Sequence, residues 1–292
     1  MTEQRIEMRT ALNIGGPIIQ VTGKRGGRKY ELPSIPGNPI VPSVTTIVNQ
    51  TVRNMGLEIW REQWIARGLE EARDKRLSGT AIGGILSAAN NEASASAELG
   101  TQMHDIIDGL LKGNQEIVVP DQLEPAVRGF LRWRQAHADW EYLDSEAAVF
   151  TQDFAGTVDA LFHDPVNKQF IVVDWKTSSG IYDSALMQVA AYCHALENMI
   201  MHCEDPAHIR GLKSATVRVL GRFQRSTVEG MIVRFDNAYP LDEDNKKIRT
   251  LPKVFTDRVQ VANVVRDKWW PVFRDCHNLH DGLKGAIKKE WL

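Results

Sequence analysis

The chain has 292 residues, of which 43% are hydrophobic, and its 35 lysines and arginines nearly balance 37 aspartates and glutamates. That length and apolar content can build a sizeable core and exclude global disorder, while the balanced charge excludes a uniformly basic nucleic-acid coat. The three cysteines, Cys193, Cys203 and Cys276, are scattered, which excludes a disulfide framework and a four-cysteine metal cluster. No apolar run reaches bilayer length, and Met1-Thr2-Glu3-Gln4 lacks the basic-then-apolar pattern of a secretory leader, so the expectation is a soluble, cytoplasmic protein with no membrane partner.

The first 41 residues, punctuated by Gly15-Gly16-Pro17, Gly26-Gly27 and prolines 33 to 42, read as short strands joined by turns, with Lys24, Arg25, Arg28 and Lys29 around one of them. Ser43 follows Pro42 and suits an N-cap, predicting a helix through Asn49. Residues 57 to 73 carry apolar side chains at a helical period. Residues 78 to 97 are rich in Gly, Ala, Ser and Asn and read as a mobile loop or a loose helical hairpin. Helices are expected again over 99 to 111 and 124 to 140.

From Ala147 the pattern changes to strands, at 147 to 150, 158 to 162 and the continuous apolar run Phe170-Ile171-Val172-Val173, which suits a central strand buried on both faces. A helix over 184 to 198, strands over 215 to 220 and 231 to 235, and a closing helix over 254 to 277 complete the reading. The fold class is α/β: a mixed central sheet flanked by helices, preceded by a helical region. The domain division expected is an N-terminal strand-rich extension over 1–41 and a main unit over 42–292, helical over 42–140 with its core over 141–292. Between Arg210 and Arg234 six basic residues face one acidic residue, Glu229, and Arg218, Arg222 and Arg225 are the candidates there for a phosphate-backbone contact.

The chemistry concentrates between Gly156 and Tyr192. Asp159 and Asp174 are expected at the ends of adjacent strands, where two converging carboxylates repel unless a cation lies between them, and hard divalent ions prefer such oxygen ligands. Lys176 follows Asp174 by two residues, so strand geometry puts both side chains on one face about 7 Å apart at the backbone. An ammonium there can serve a phosphate and its attacking water. Gln188 and Tyr192, four apart on the expected helix, share a face turned toward that spot. His104, in Gly100-Thr101-Gln102-Met103-His104, is read as opening a helix, and its imidazole is acceptable to manganese or as one mixed ligand for magnesium.

In order along the chain, Pro42-Ser43-Val44-Thr45-Thr46-Ile47, Gly100-Thr101-xx-His104, Gly156-xx-Asp159, Asp174-x-Lys176-Thr177 and Gln188-xxx-Tyr192 resemble the PD-(D/E)XK nuclease superfamily, and within it the RecB-like exonuclease branch that includes phage exonucleases and the mitochondrial genome maintenance exonuclease. The resemblance implies a restriction-endonuclease-like fold and a metal-dependent DNA exonuclease acting on single strands or DNA ends in recombination, repair or phage DNA processing, in a bacterial or phage-infected cell. It implies Mg2+ or Mn2+ held by His104, Asp159, Asp174 and the Trp175 carbonyl, catalysis through Lys176, and Gln188 and Tyr192 positioning the lysine and the DNA. Glu146 aligns with an acidic residue sometimes found on the first core strand. The chain lacks the cysteines of the iron-sulphur subgroup and a P-loop, so a separate helicase or recombinase is the expected partner. The alternatives are an endonuclease using the same site and a non-catalytic DNA-binding or assembly protein on the same fold.

Overall fold

The computed structural model describes residues 4–8, 18–22, 27–52, 55–73, 78–204, 220, 226–247 and 253–290. Four short strands come first, β1 (Gln4–Met8), β2 (Ile18–Thr22), β3 (Arg28–Glu31) and β4 (Ile40–Pro42), and pair as an antiparallel sheet in chain order. Ser43 then caps α1 (Val44–Thr51), its hydroxyl accepting from the Thr46 amide at 3.0 Å as the Pro-Ser motif predicts. The same hydroxyl donates to Thr46 Oγ1 at 2.9 Å, and Thr46 Oγ1 in turn donates to the Arg28 carbonyl at 3.0 Å, so the cap also binds the helix to β3.

Next come α2 (Met55–Glu71) and α3 (Gly79–Leu111), packed on each other. Here the loop or hairpin expected over 78 to 97 is corrected: α3 is one helix of 33 residues, capped by Ser78, whose hydroxyl accepts from the Ala81 amide at 3.2 Å. Its alanines are strong helix formers, and the interspersed glycines and serines cost too little to break a helix whose distal end is anchored. Met103, Ile106 and Ile107 are that anchor, each buried. Helix α4 (Glu124–Ala136) follows.

The main sheet contains β5 (Glu141–Phe150), β6 (Ala155–Asp164), β7 (Gln169–Lys176), β8 (Thr227–Ala238) and β9 (Val254–Val264), in that spatial order. Only the β7 to β8 pairing is parallel. The crossover between them runs through α5 (Asp183–His202), as a parallel connection requires. Strand β9 and α6 (Arg266–Glu290) replace the single closing helix expected from 254 onward. Val254-Phe255-Thr256-Asp257-Arg258-Val259-Gln260-Val261 makes a half-exposed edge strand, and its charged Asp257 and Arg258 discourage pairing with another chain. The strand expected over 215 to 220 lies outside the described residues, except that Leu220 is helical and buried.

Central β7 explains the layering. Phe170 and Val172 enter a core shared with α1, α5, α6 and the N-terminal sheet, whereas Ile171, Val173 and Trp175 enter a second core with the end of α3 and with α4. A strand buried on both faces needs an apolar residue at nearly every position, the continuous run read from the sequence. The two sheets also join directly: Ser43 forms a parallel bridge with Ala155, at the start of β6.

Candidate metal centre

The Trp175 backbone organises the site. Its indole is fixed in the second core, edge-on to Trp133 at 5.2 Å and to Phe130 at 5.7 Å, contacts worth about 0.5–1.5 kcal/mol each beyond burial. With the ring fixed, the backbone amide donates to Asp159 Oδ2 at 2.8 Å and the carbonyl accepts from His104 Nε2 at 3.0 Å. Three sequence-predicted positions therefore meet at the backbone of one residue. A carbonyl only accepts, so His104 carries its proton on Nε2 in this contact, and Nδ1 faces Asp159 Oδ2 at 3.6 Å.

On either side of Trp175, Asp174 and Lys176 take the opposite face of β7. Asp174 is 2% exposed, and Lys176 Nζ lies 2.8 Å from its Oδ1 and 2.7 Å from Oδ2. Only Oδ1 is aligned for a hydrogen bond, so the buried Oδ2 has charge contact but no hydrogen-bond partner. Asp159 lies in the middle of β6, not at its end, and faces its partner strand through the Trp175 amide. His104 likewise lies near the C-terminal end of α3 instead of opening a helix.

The structure gives Glu146 a larger part than its sequence position indicates. Ligand atoms of His104, Glu146 and Asp159 all lie within 4.8 Å of one another, while Asp174 stands outside this trio, paired to Lys176. Glu146 holds φ at 50°, a left-handed conformation that costs a non-glycine residue about 1 kcal/mol or more, between the paired positions Ser145 and Ala147 of β5. The register with β6 shifts earlier, between Tyr142 and Asp144, and is constant from Asp144 onward, so Glu146 lies between the pairs Ser145–Ala160 and Ala147–Val158, opposite Asp159. The bend is braced: Ser145 Oγ donates to Asp108 of α3, accepts from Tyr142 at 2.9 Å, and Asp108 Oδ2 accepts from Lys112 at 2.7 Å. No sequence motif marks Asp108 or Ser145, which meet only where α3 crosses β5.

Gln188 and Tyr192 do share a face of α5, and Gln188 Nε2 donates to the Tyr192 hydroxyl at 2.7 Å. Tyr192 is buried, and burial first, then the hydrogen bond's weaker opposing pull and the charges of Asp174 and Asp159, hold its phenol well above the usual range. Its ring covers Gly156, three residues before Asp159, so closely that no side chain fits there. Gly100 plays the matching part on α3, where an added Cβ would come 3.0 Å from Thr177 Oγ1 in the loop after Lys176.

That loop is tied down from β8. Arg234 Nη1 donates to the Ser178 carbonyl at 3.0 Å and Asn237 Nδ2 to the Thr177 carbonyl at 2.8 Å. Arg234 is 8% exposed and also bonds Gln260 and Asp236, which corrects its place in an exposed basic stripe. Arg218, Arg222 and Arg225, the candidates for DNA contact, lie outside the described residues.

The sequence model of the PD-(D/E)XK nuclease superfamily matches residues 73–276, more than half of the chain. The chain belongs to the PD-(D/E)XK nuclease superfamily. The comparison with curated proteins yields no match. The five-stranded mixed sheet with helices on both faces is the restriction-endonuclease-like architecture of this superfamily, and among the described residues no helix is long and apolar enough to cross a membrane.

Superfamily nucleases typically use divalent metals, and the donor set here fits one. One imidazole and several carboxylate oxygens are the mixed hard donors that magnesium or manganese accepts. Glu146 is exposed at the surface, yet desolvation by the groups packed around it, and after it the negative Asp159, push its carboxyl up to about 7. Asp174 is also raised, by burial and by Asp159 against the opposing pull of Lys176. Burial would lower the Lys176 ammonium, but the charges of Asp174 and Asp159 outweigh it and raise it. Lys176 compensates Asp174, while Glu146 and Asp159 add to one another's negative surroundings, which a cation between them would offset.

A pH signature follows from Glu146. Because its folded value lies above the ordinary 4.5, the metal-free fold is favoured by the protonated form: this stabilisation is complete below the unfolded value and is lost as pH rises through about 7. Metal binding must expel that proton, so Mn2+ affinity measured calorimetrically is expected to rise steeply up to about pH 7, with proton release detectable as a buffer-dependent heat. Glu146→Gln should flatten the profile; an unchanged profile in that variant would remove Glu146 from the centre.

Proposed function

We propose that this chain is a magnesium- or manganese-dependent DNA exonuclease of the RecB-like branch, acting on single strands or duplex ends in recombination, repair or phage DNA processing. The observation that carries the reading is the convergence of His104, Glu146 and Asp159 beside the buried Asp174–Lys176 pair. In this reading residues 42–292 are the nuclease unit and residues 1–41 an extension of it. The protein works in the cytoplasm of a bacterial or phage-infected cell, with a separate helicase or recombinase opening the duplex.

His104, Asp159, Asp174 and the Trp175 carbonyl would hold the cation, with Glu146 completing the set. When bound, the cation supplies Lewis acidity to the phosphate and lowers the pKa of water. The remaining work belongs to the chain. Lys176 Nζ already points into the carboxylate cluster through Asp174, and from there it donates to the phosphate oxygens as charge builds on them during hydrolysis. Tyr192 and Gln188 form the wall behind β6 that keeps Asp159 in place. Arg234 and Asn237 fix the carbonyls of the loop that follows Lys176 and so limit how far the ammonium can drift.

A time course with magnesium on 5′-labelled and 3′-labelled single-stranded, duplex and circular DNA tests the proposal. Linear strands should shorten progressively from one end while circles stay whole. Cleaved circles would replace the exonuclease reading by the endonuclease one, and intact DNA of every form with either metal would overturn both.

A further inference from the structure

One residue of the N-terminal sheet is held close to the carboxylate cluster. The Arg28 carbonyl is gripped from two directions, by the Ser43 amide at 2.9 Å and by Thr46 Oγ1 at 3.0 Å. Ser43 is itself bridged to Ala155, the neighbour of Gly156 beneath the Tyr192 ring. Arg28 shares its face of β3 with Tyr30, which is 1% exposed and packs into the core common to both sheets, so Arg28 is directed toward the nuclease body and not away from it. Its Nη1 lies 3.5 Å from the Tyr30 hydroxyl, and the guanidinium is within electrostatic reach of both Tyr192 and Glu146. Among the described residues no carboxylate lies within ion-pair distance of it, and the residue is exposed on a strand that packs against β6.

The charge of the cleft makes this position consequential. Three carboxylates, Glu146, Asp159 and Asp174, surround one ammonium, that of Lys176, and such a site repels a phosphate backbone until positive charge is added. A guanidinium presents a planar fork of donors matched to phosphate oxygens, and it stays charged at every working pH. We propose that Arg28 is a phosphate-binding residue that the N-terminal sheet lends to the cleft, taking a backbone phosphate of the DNA strand adjoining the one at the metal centre. This rests on the reading of the cleft as a nuclease site and assigns the Pro42-Ser43-Val44-Thr45-Thr46 segment a purpose: it locks β3, and with it Arg28, against β6.

The test uses the full chain and a fluorescent oligothymidylate, with anisotropy measured in calcium across a salt series, and separate kinetics in magnesium. Arg28→Ala should bind about tenfold more weakly, and its plot of log affinity against log salt should flatten by about 0.7, the loss of one phosphate contact on a single strand. KM should rise with kcat nearly unchanged, and Arg28→Lys should recover the salt slope but only part of the affinity. The grip on β3 uses the Arg28 carbonyl and not its side chain, so thermal melting of both variants should match the parent; if Arg28→Ala melts early, Arg28→Gln carries the test. Parental affinity and slope in the variants would overturn the proposal, as would a fall in kcat with binding unchanged. If the parent cuts no DNA, the nuclease reading fails while the salt slope still decides the place of Arg28; if the parent cuts and the slope does not move, Arg28 alone is misassigned.

Discussion

Lys176→Ala is expected to lower metal-dependent cleavage by about 10²–10³-fold or more, as removal of a single donor to developing charge does elsewhere, and also to destabilise the protein. The second effect follows from burial. Asp174 is 2% exposed, and its one hydrogen bond at Oδ1 comes from Lys176, so the alanine variant leaves a buried carboxylate uncompensated. Breaking such a pair from one side costs about 3–5 kcal/mol when both partners are fully buried. The Lys176 side chain is 25% exposed and Asp174 can take up a proton, so about 2–3 kcal/mol is expected here. Asp174→Asn keeps the shape, removes the charge and should lose cleavage with a smaller drop in melting temperature. Single-turnover cleavage and thermal melting of the two variants side by side check this. Parental cleavage in both would show that the pair is structural only.

The second large effect is predicted at a residue with no chemistry of its own. Gly156→Ala places a methyl group where the Tyr192 ring already lies, with Cζ only 3.1 Å and the hydroxyl 3.2 Å from the added carbon. Both groups are buried, so the ring must leave its place, the Gln188 bond must break, and β6 must shift three residues before Asp159. Overpacking of this kind costs about 1–3 kcal/mol, or a fall of several degrees in melting temperature at this chain length. Removing the obstacle tests the cause: in a Tyr192→Phe background Gly156→Ala should cost as much as in the parent, because the ring carbons remain, whereas in a Tyr192→Ala background, itself destabilised by the loss of a buried ring, Gly156→Ala should cost little more. Equal melting of Gly156→Ala and the parent would contradict the contact.

The parts of the site that are close in sequence were legible, because their geometry is local. Two residues along a strand put Asp174 and Lys176 on one face, four along a helix put Gln188 beside Tyr192, and an apolar run fixed β7 as central. The Ser43 cap was likewise readable from three consecutive residues. Glu146 was harder, since its place depends on the pairing of β5 with β6 that sets it opposite Asp159 and on a backbone conformation unusual for glutamate. Arg234 illustrates a different loss. A basic residue on a strand faces either solvent or its own carbonyls, and only the pairing with Gln260 and the Ser178 loop decides which. Composition misled in α3, where glycine and serine suggested a loop although the alanines between them sustain a helix. In β9 an alternation of valines with polar residues was absorbed into the helix that follows.

The continuity of α3 has a consequence for where disturbance stops. The helix is exposed over most of its first twenty residues and buried at Met103, Ile106 and Ile107, so its backbone hydrogen bonds grade from wet to dry along a single uninterrupted rod. Fraying that begins near Gly79 must cross about seven turns before it reaches His104. The histidine is thus insulated: the outer turns can open, close or yield to whatever touches them while the imidazole keeps its address beside Asp159.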